Sequence, residues 1–201
     1  MASSNEPTPA RHLYDRHADE FAEPRQPTNS PRSCALLDSF AEALPGPRVL
    51  DAGCGPGRDV EYFSTRDLDP VGVDAAEGML DHARTHNPGE YLRIDVRKLG
   101  FERDSFDGVW CPATVFFEPE SEIVTALAEF ARVLRPDGVA RVGFKLGDGR
   151  IEVEKWRTTT VEYHVSEERA RELLETAGFS VESVSVNEVS PERTFANFLC
   201  R

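Results

Sequence analysis

At 201 residues, 39% of them hydrophobic, the chain is long enough to bury one sizeable core and too short to divide comfortably into two. Its formal net charge of -13 sets it against extended contact with nucleic-acid phosphates or an anionic membrane, both usually met by clusters of Lys and Arg. No stretch approaches the roughly 20 apolar residues of a membrane span, the N-terminal MASSNEPTPARH holds no apolar signal segment, and Cys34, Cys54, Cys111 and Cys200 are too scattered for a zinc site or a disulfide framework. The expectation is a soluble protein of the reducing cytoplasm. Lys98, Lys145 and Lys155 are its only lysines. With the acidic balance, this reads either as adaptation to a high-salt cytoplasm, where the Debye length falls to about 3 Å at 1 M salt, or as the product of a GC-rich genome.

In chain order, residues 1–9 are polar and aperiodic and read as a disordered N-terminus, leaving 10–201 as a single domain. Over residues 10–21, Leu13, Tyr14, Ala18 and Phe21 recur at helical spacing. Ser30 and Pro31 cap and open a second helix that turns Leu36, Leu37, Phe40 and Leu44 inward and stops at Pro45-Gly46-Pro47. Strands are then predicted at 48–52, 70–74, 91–95, 108–111 and 139–144, with helices at 57–65, 76–86 and 120–134. Strands joined through helices imply a parallel sheet with right-handed crossovers. A helix at 166–177, with Gly178 at its C-terminal end, precedes strands near 179–186 and 194–200; lacking a helix between them, these two should pair antiparallel. The fold class is therefore α/β, doubly wound, with about seven mostly parallel strands, an antiparallel C-terminal strand and helices on both faces.

The segment VLDAGCGPGRD places Gly53, Gly55 and Gly57 between the end of the first strand and the start of a helix, where a ligand can approach the backbone closely. A dinucleotide fingerprint, G-x-G-x-x-G, would need glycine at position 58, which is Arg58. Asp74 ends the second strand about 20 residues further on, where an acidic side chain accepts hydrogen bonds from ribose hydroxyls. With Asp95 ending the third strand and Cys111 the fourth, Asp51, Asp74, Asp95 and Cys111 are expected to line one rim beyond the carboxyl ends of the strands.

On these segments the chain resembles the class I S-adenosylmethionine (SAM)-dependent methyltransferases of small-molecule type, from about Tyr14 to the C-terminus. VLDAGCGPG is similar to their first motif, VGVDAAEGML to their second, and RIDVRKLGFERDSFDGVW to their third and the approach to their fourth. EFARVLRPDGVARVGF resembles the segment before their fifth strand, and HVSEERARELLETAGF their closing helix. The resemblance implies a Rossmann-like sheet that binds SAM and releases S-adenosylhomocysteine. It further implies that Gly53, Cys54 and Gly55 pass the methionine portion with Gly57 in the same loop, that Asp51 supports that loop and the ammonium, and that Asp74 holds the ribose diol. Ala75 and Met79 would pack on the adenine, Asp95 and the Val96 backbone would read its amino edge, and Cys111 would face the sulfonium. Met79 alone reads equally as helix core. No metal is implied.

By the same resemblance, residues 10–45 form a helical lid and 145–165 a substrate-side insertion that alternates like a hairpin. Methyl transfer from a sulfonium asks mainly for alignment, and a base is optional. If one is needed, Tyr14, His12, His17, Tyr163 and His164 are the side chains available; Tyr14, Phe117, Trp156, Arg157 and Tyr163 are those placed to hold an acceptor. Phe117 stands where many relatives carry a histidine, which favours an apolar pocket floor. Cys111-Pro112-Ala113 is neither the N/D-P-P-Y of amino-methylating nucleic-acid enzymes nor the Pro-Cys of cytosine C5 enzymes, so a small-molecule acceptor is expected. A SAM-binding regulatory protein without turnover and an NAD-linked oxidoreductase stay open as alternatives.

Overall fold

A computed structural model describes residues 9–22, 31–190 and 193–201. Residues 1–8, most of the segment expected to be disordered, and the expected cap Ser30 lie outside these. Two short helices, α1 (Pro9–Arg16) and α2 (Ala18–Ala22), precede α3 (Pro31–Ala43). The single helix expected over 10–21 is thus broken at His17, whose ring stacks on Trp156 at 5.1 Å.

The main sheet comprises β1 (Arg48–Ala52), β2 (Asp69–Asp74), β3 (Glu90–Arg93), β4 (Phe106–Cys111), β5 (Leu134–Leu146), β8 (Val181–Ser190) and β9 (Arg193–Cys200). Its spatial order is β3-β2-β1-β4-β5-β9-β8, parallel from β3 to β5, with β9 antiparallel to both neighbours. The sheet is therefore the doubly wound one expected, with seven strands. β5 starts at Leu134, ahead of the expected start, because Leu134 already pairs with Phe106 before the chain bulges through Arg135-Pro136-Asp137-Gly138 and resumes at Val139 opposite Gly108.

The central strands are buried on both faces, which is why they read as continuous apolar runs and not as alternation. Leu50, Val109, Cys111 and Ala140 face α6 (Glu120–Val133) and α7 (Glu167–Thr176). Val49, Trp110 and Val139 face α3 and α4 (Arg58–Ser64), where Phe40 is wedged between Phe63 and Trp110 with ring centres 5.8 and 5.1 Å away. α5 (Glu77–His86) packs Leu80 and Ala83 beside Val60 and Tyr91. The hydroxyl of Ser166 accepts from the Arg169 N–H at 3.0 Å and starts α7; Gly178, at φ 98°, ends it.

The insertion is a separate hairpin, β6 (Gly149–Lys155) and β7 (Thr158–His164), tied to the main sheet by a bridge between Leu146 and Val165. Its two turn residues, Trp156 and Arg157, both have positive φ, 46° and 60°. That is the two-residue geometry matching strand twist, adopted here by side chains that bear a left-handed cost of roughly 1–2 kcal/mol each. Among the described residues no helix is long and apolar enough to cross a membrane.

Candidate functional site

The chain leaves β1 toward β2 on one side and enters β4 on the other, so the loops after β1 and β4 diverge and leave a crevice at the switch point. A cavity of about 350 Å³ lies there, at the small end of the roughly 300–1,000 Å³ range of small-ligand sites. Its floor is the loop between β1 and α4. Gly53 and Cys54 both donate their N–H to the Val73 carbonyl, at 2.7 and 3.0 Å, which sews the loop to the end of β2. Gly53 has φ 84°, and a Cβ there would sit 1.9 Å from the Thr114 hydroxyl oxygen, so only glycine lets the β4 loop approach so closely.

Of the residues that the resemblance assigns to the cofactor, Asp51, Gly53, Cys54, Gly55, Asp74, Ala75, Met79, Asp95 and Val96 line this cavity. Two expected residues do not. Cys111 ends β4 at the rim, but it shares the parity of Val109 and points into the core under α6, fully buried. Gly57 starts α4 at φ 83°, and a Cβ there would meet the Tyr91 hydroxyl at 2.4 Å; it serves helix-to-strand packing away from the cavity. Asp95 lines the cavity from a turn beyond β3, not from the strand's end. Its Oδ1 accepts from the Arg97 N–H at 2.9 Å, and this side-chain turn takes the chain out of the ladder.

The electrostatics of the floor are negative. Asp51 is 2% exposed, and its Oδ2 has no hydrogen-bond partner among the described residues. Burial pushes its carboxyl well above the usual range, reinforced by the Asp59 and Asp74 carboxylates. The carboxyl of Asp74 is also raised by burial, although its Oδ2 accepts from the Gly55 N–H at 2.9 Å and its Oδ1 from the Ala76 N–H at 2.8 Å. A buried carboxylate oxygen without a partner is costly unless a cationic donor meets it. The ammonium of SAM would supply such a donor, so the residues present fit the cofactor.

Sequence reasoning missed Arg58, Arg97, Thr114 and Glu118 as cavity residues, all on its wall. Arg97 bonds Asp95 at 2.6 Å and reaches Glu118 at 3.4 Å and Glu122 at 3.5 Å. Burial works upward on the Asp95 carboxyl, but the Arg97 bonds outweigh it and hold it below its ordinary value. Burial pushes Glu118 up to about 7, against the Arg97 guanidinium. A carboxyl raised in the folded state contributes stability that is full below its unfolded value of 4.5 and is lost as pH climbs through about 7. Glu118→Gln should therefore flatten the fall in Tm of the ligand-free protein between about pH 5 and about pH 8. Equal slopes for parent and variant would refute this.

On the acceptor side, Tyr14 and Phe117 line the cavity with ring centres 5.5 Å apart. His17, Trp156, Arg157, Tyr163 and His164 do not. Trp156 stacks on His17 and meets Tyr14 and Phe21 edge-on at 6.0 and 6.3 Å, so the hairpin tip clamps the outside of α1 and α2 instead of facing the cavity. Arg157 is exposed, Tyr163 is half-buried, and His164 sits 3.2 Å from Glu162. His12 is exposed. Of the side chains named as bases, the structure brings only Tyr14 to the cavity.

Residues 49–138 match the family model described as "Methyltransferase domain". The chain is 30% identical over 148 residues to a malonyl-[acyl-carrier protein] O-methyltransferase of Enterobacter lignolyticus, covering 73% of this chain and 58% of that protein. It is 37% identical over 113 residues to a ubiquinone biosynthesis O-methyltransferase of Hahella chejuensis, covering 53% of this chain and 46% of that protein. It thus spans about half the length of these curated relatives. The crystal structure of Burkholderia thailandensis 1,6-didemethyltoxoflavin-N1-methyltransferase, with bound 1,6-didemethyltoxoflavin and S-adenosylhomocysteine, superposes with a TM-score of 0.69 at 18% identity, covering 100% of this chain and 92% of that one. Residues 49–138 are thus a methyltransferase domain, and with the glycine loop and the sheet order in agreement the comparisons support a class I S-adenosylmethionine-dependent methyltransferase.

Proposed function

We propose that this chain transfers the methyl group of SAM to a small-molecule acceptor by in-line displacement. The observation that carries the reading is the unpartnered Asp51 Oδ2 buried in the floor of a cavity formed by the glycine loop. When bound, SAM supplies an electrophilic methyl group on a sulfonium. The protein's part is positioning: Asp51 meets the ammonium, Asp74 the ribose diol, and Asp95 with the Val96 N–H the adenine edge, while Ala75 and Met79 pack against the base. Residues 10–45 act as a lid that excludes water, and residues 145–165 as the outer wall of the acceptor space, in a protein of the cytoplasm. The O-methyltransferase names of the curated relatives and the small heterocycle bound in the toxoflavin enzyme support a small acceptor.

SAM should raise the Tm where NAD does not, and labelled SAM should be turned over to S-adenosylhomocysteine in the presence of one fraction of a metabolite pool. Tight SAM binding with no product from any fraction would instead make this a SAM-binding protein without turnover, a reading that Phe117 favours by standing where an imidazole would otherwise be.

A further inference from the structure

Two of the chain's three lysines converge beside Tyr14. Glu162, 1% exposed, has its Oε2 bonded to Lys145 Nζ and 3.2 Å from His164 Nε2; its Oε1 lies 3.5 Å from Lys155 Nζ. Lys145 is 6% exposed and closed in, its Nζ 4.6 and 5.4 Å from the ring centres of Phe116 and Phe195. It neutralises Glu162. Lys155 is the surplus charge. Its Nζ donates to Tyr14 Oη at 2.9 Å and lies 5.4 and 5.5 Å from the ring centres of Tyr14 and Phe117, the two aromatic residues that line the acceptor side of the cavity. An ammonium has three donors; Tyr14 takes one, and Glu162 Oε1, at 3.5 Å, is an ion-pair contact without a hydrogen bond. One carboxylate against two ammoniums makes this corner locally cationic in a chain of net charge -13.

We propose, resting on the methyltransferase reading above, that the methyl acceptor is a small oxyanion, a carboxylate or phenolate, which Lys155, set behind Tyr14 just off the cavity lining, draws in and the Tyr14 hydroxyl recognises. The acceptor oxygen forms the new O–C bond with one of its own lone pairs as the S–C bond breaks, and the S–C pair stays on sulfur as the neutral thioether. No proton moves, so no base is required, in keeping with a cavity that none of the histidines of the lid or hairpin enters. The positive sulfonium and the negative oxygen cancel in the same step. An apolar, water-excluding enclosure favours such charge cancellation over separation, provided a fixed counter-charge first draws the anion in.

The test is calorimetric titration of the protein saturated with S-adenosylhomocysteine, using benzoate, 4-nitrophenolate, benzamide and benzylammonium as probes. The expected result is that benzoate or 4-nitrophenolate binds at least tenfold tighter than benzamide, the tighter of the two naming the acceptor class. Lys155→Met should erase that preference, and Lys155→Arg should keep part of it. Circular dichroism checks both variants for folding. Anions bound no tighter than benzamide, no binding of any probe, tighter benzylammonium, or a preference that survives Lys155→Met would each overturn the proposal. A protein that failed to bind S-adenosylhomocysteine in the first titration would count against the methyltransferase reading itself, which separates the two failures.

Discussion

Replacing Asp74 by alanine should weaken SAM binding by about 10- to 100-fold, because hydrogen bonds to a charged group contribute roughly 1.5–3 kcal/mol. Both carboxylate oxygens already hold backbone N–H groups, of Gly55 and Ala76, yet an ionised carboxylate offers about four acceptor positions, which leaves two for a ribose diol. The substitution therefore removes a ligand contact and a latch on the glycine loop together. Asp74→Asn, which keeps the shape and one acceptor oxygen, should lose less. The fold should survive in both, since the core under β1 and β2 is made by Leu50, Val71 and Val73, and the buried carboxylate costs solvation that alanine does not. Calorimetric titration of variants shown to be folded by circular dichroism decides the matter: an Asp74→Ala affinity within twofold of the parent would mean the second-strand carboxylate does not hold the ribose.

Deletion of residues 1–24 should leave a folded protein with SAM affinity reduced roughly 50- to 100-fold, the effect of losing a wall that covers on the order of 100 Å² of apolar ligand surface at about 25 cal/mol per Å². α1 and α2 contribute Ala10, Arg11, Tyr14 and Phe21 to the cavity, whereas the two clusters under the central sheet contain no residue from them. They are seated on α5 and α4: the Gly78 N–H donates to Asp15 Oδ1 at 3.1 Å, and Arg58 Nη2 donates to the Ala22 carbonyl at 2.7 Å. A Cβ on Gly78 would lie 2.3 Å from the Asp15 carbonyl oxygen, so Gly78→Ala should lift the lid without cutting the chain and reproduce part of the loss. Unchanged affinity in the truncated protein would place the lid's role elsewhere.

The succession of strands and helices and the glycine loop were legible because turn-forming residues punctuate the apolar runs and the glycines stand at a strand end. What pattern alone left out was direction. Cys111 is at the rim by position but in the core by parity, and the parity of β4 shows only once Val109 and Trp110 are assigned to opposite faces. Asp95 looked like a strand end because nothing in YLRID announces that its side chain will capture the N–H of Arg97 and leave the ladder. Trp156 was placed in the insertion, yet which way a hairpin tip faces depends on what it packs against. The Lys145–Glu162 and Lys155–Tyr14 contacts span 17 and 141 residues, beyond any local pattern. The one trace they left was the scarcity of lysine, which the composition presented as a matter of solvent and not of site.

The proposed outer wall of the acceptor space, β6 and β7, is a two-stranded ribbon with a turn held in left-handed backbone at both positions. Such a ribbon is marginal by itself, so its order depends on the indole of Trp156 staying seated on His17 and Tyr14. Lid and ribbon should therefore open as one cooperative unit, at a free energy well below that of the central strands. Amide hydrogens along the ribbon would then exchange with solvent together with those of α1, long before those of β1 or β4. On the proposed reading the acceptor would enter by a partial unfolding of this unit, at a rate set by how often the tryptophan lets go.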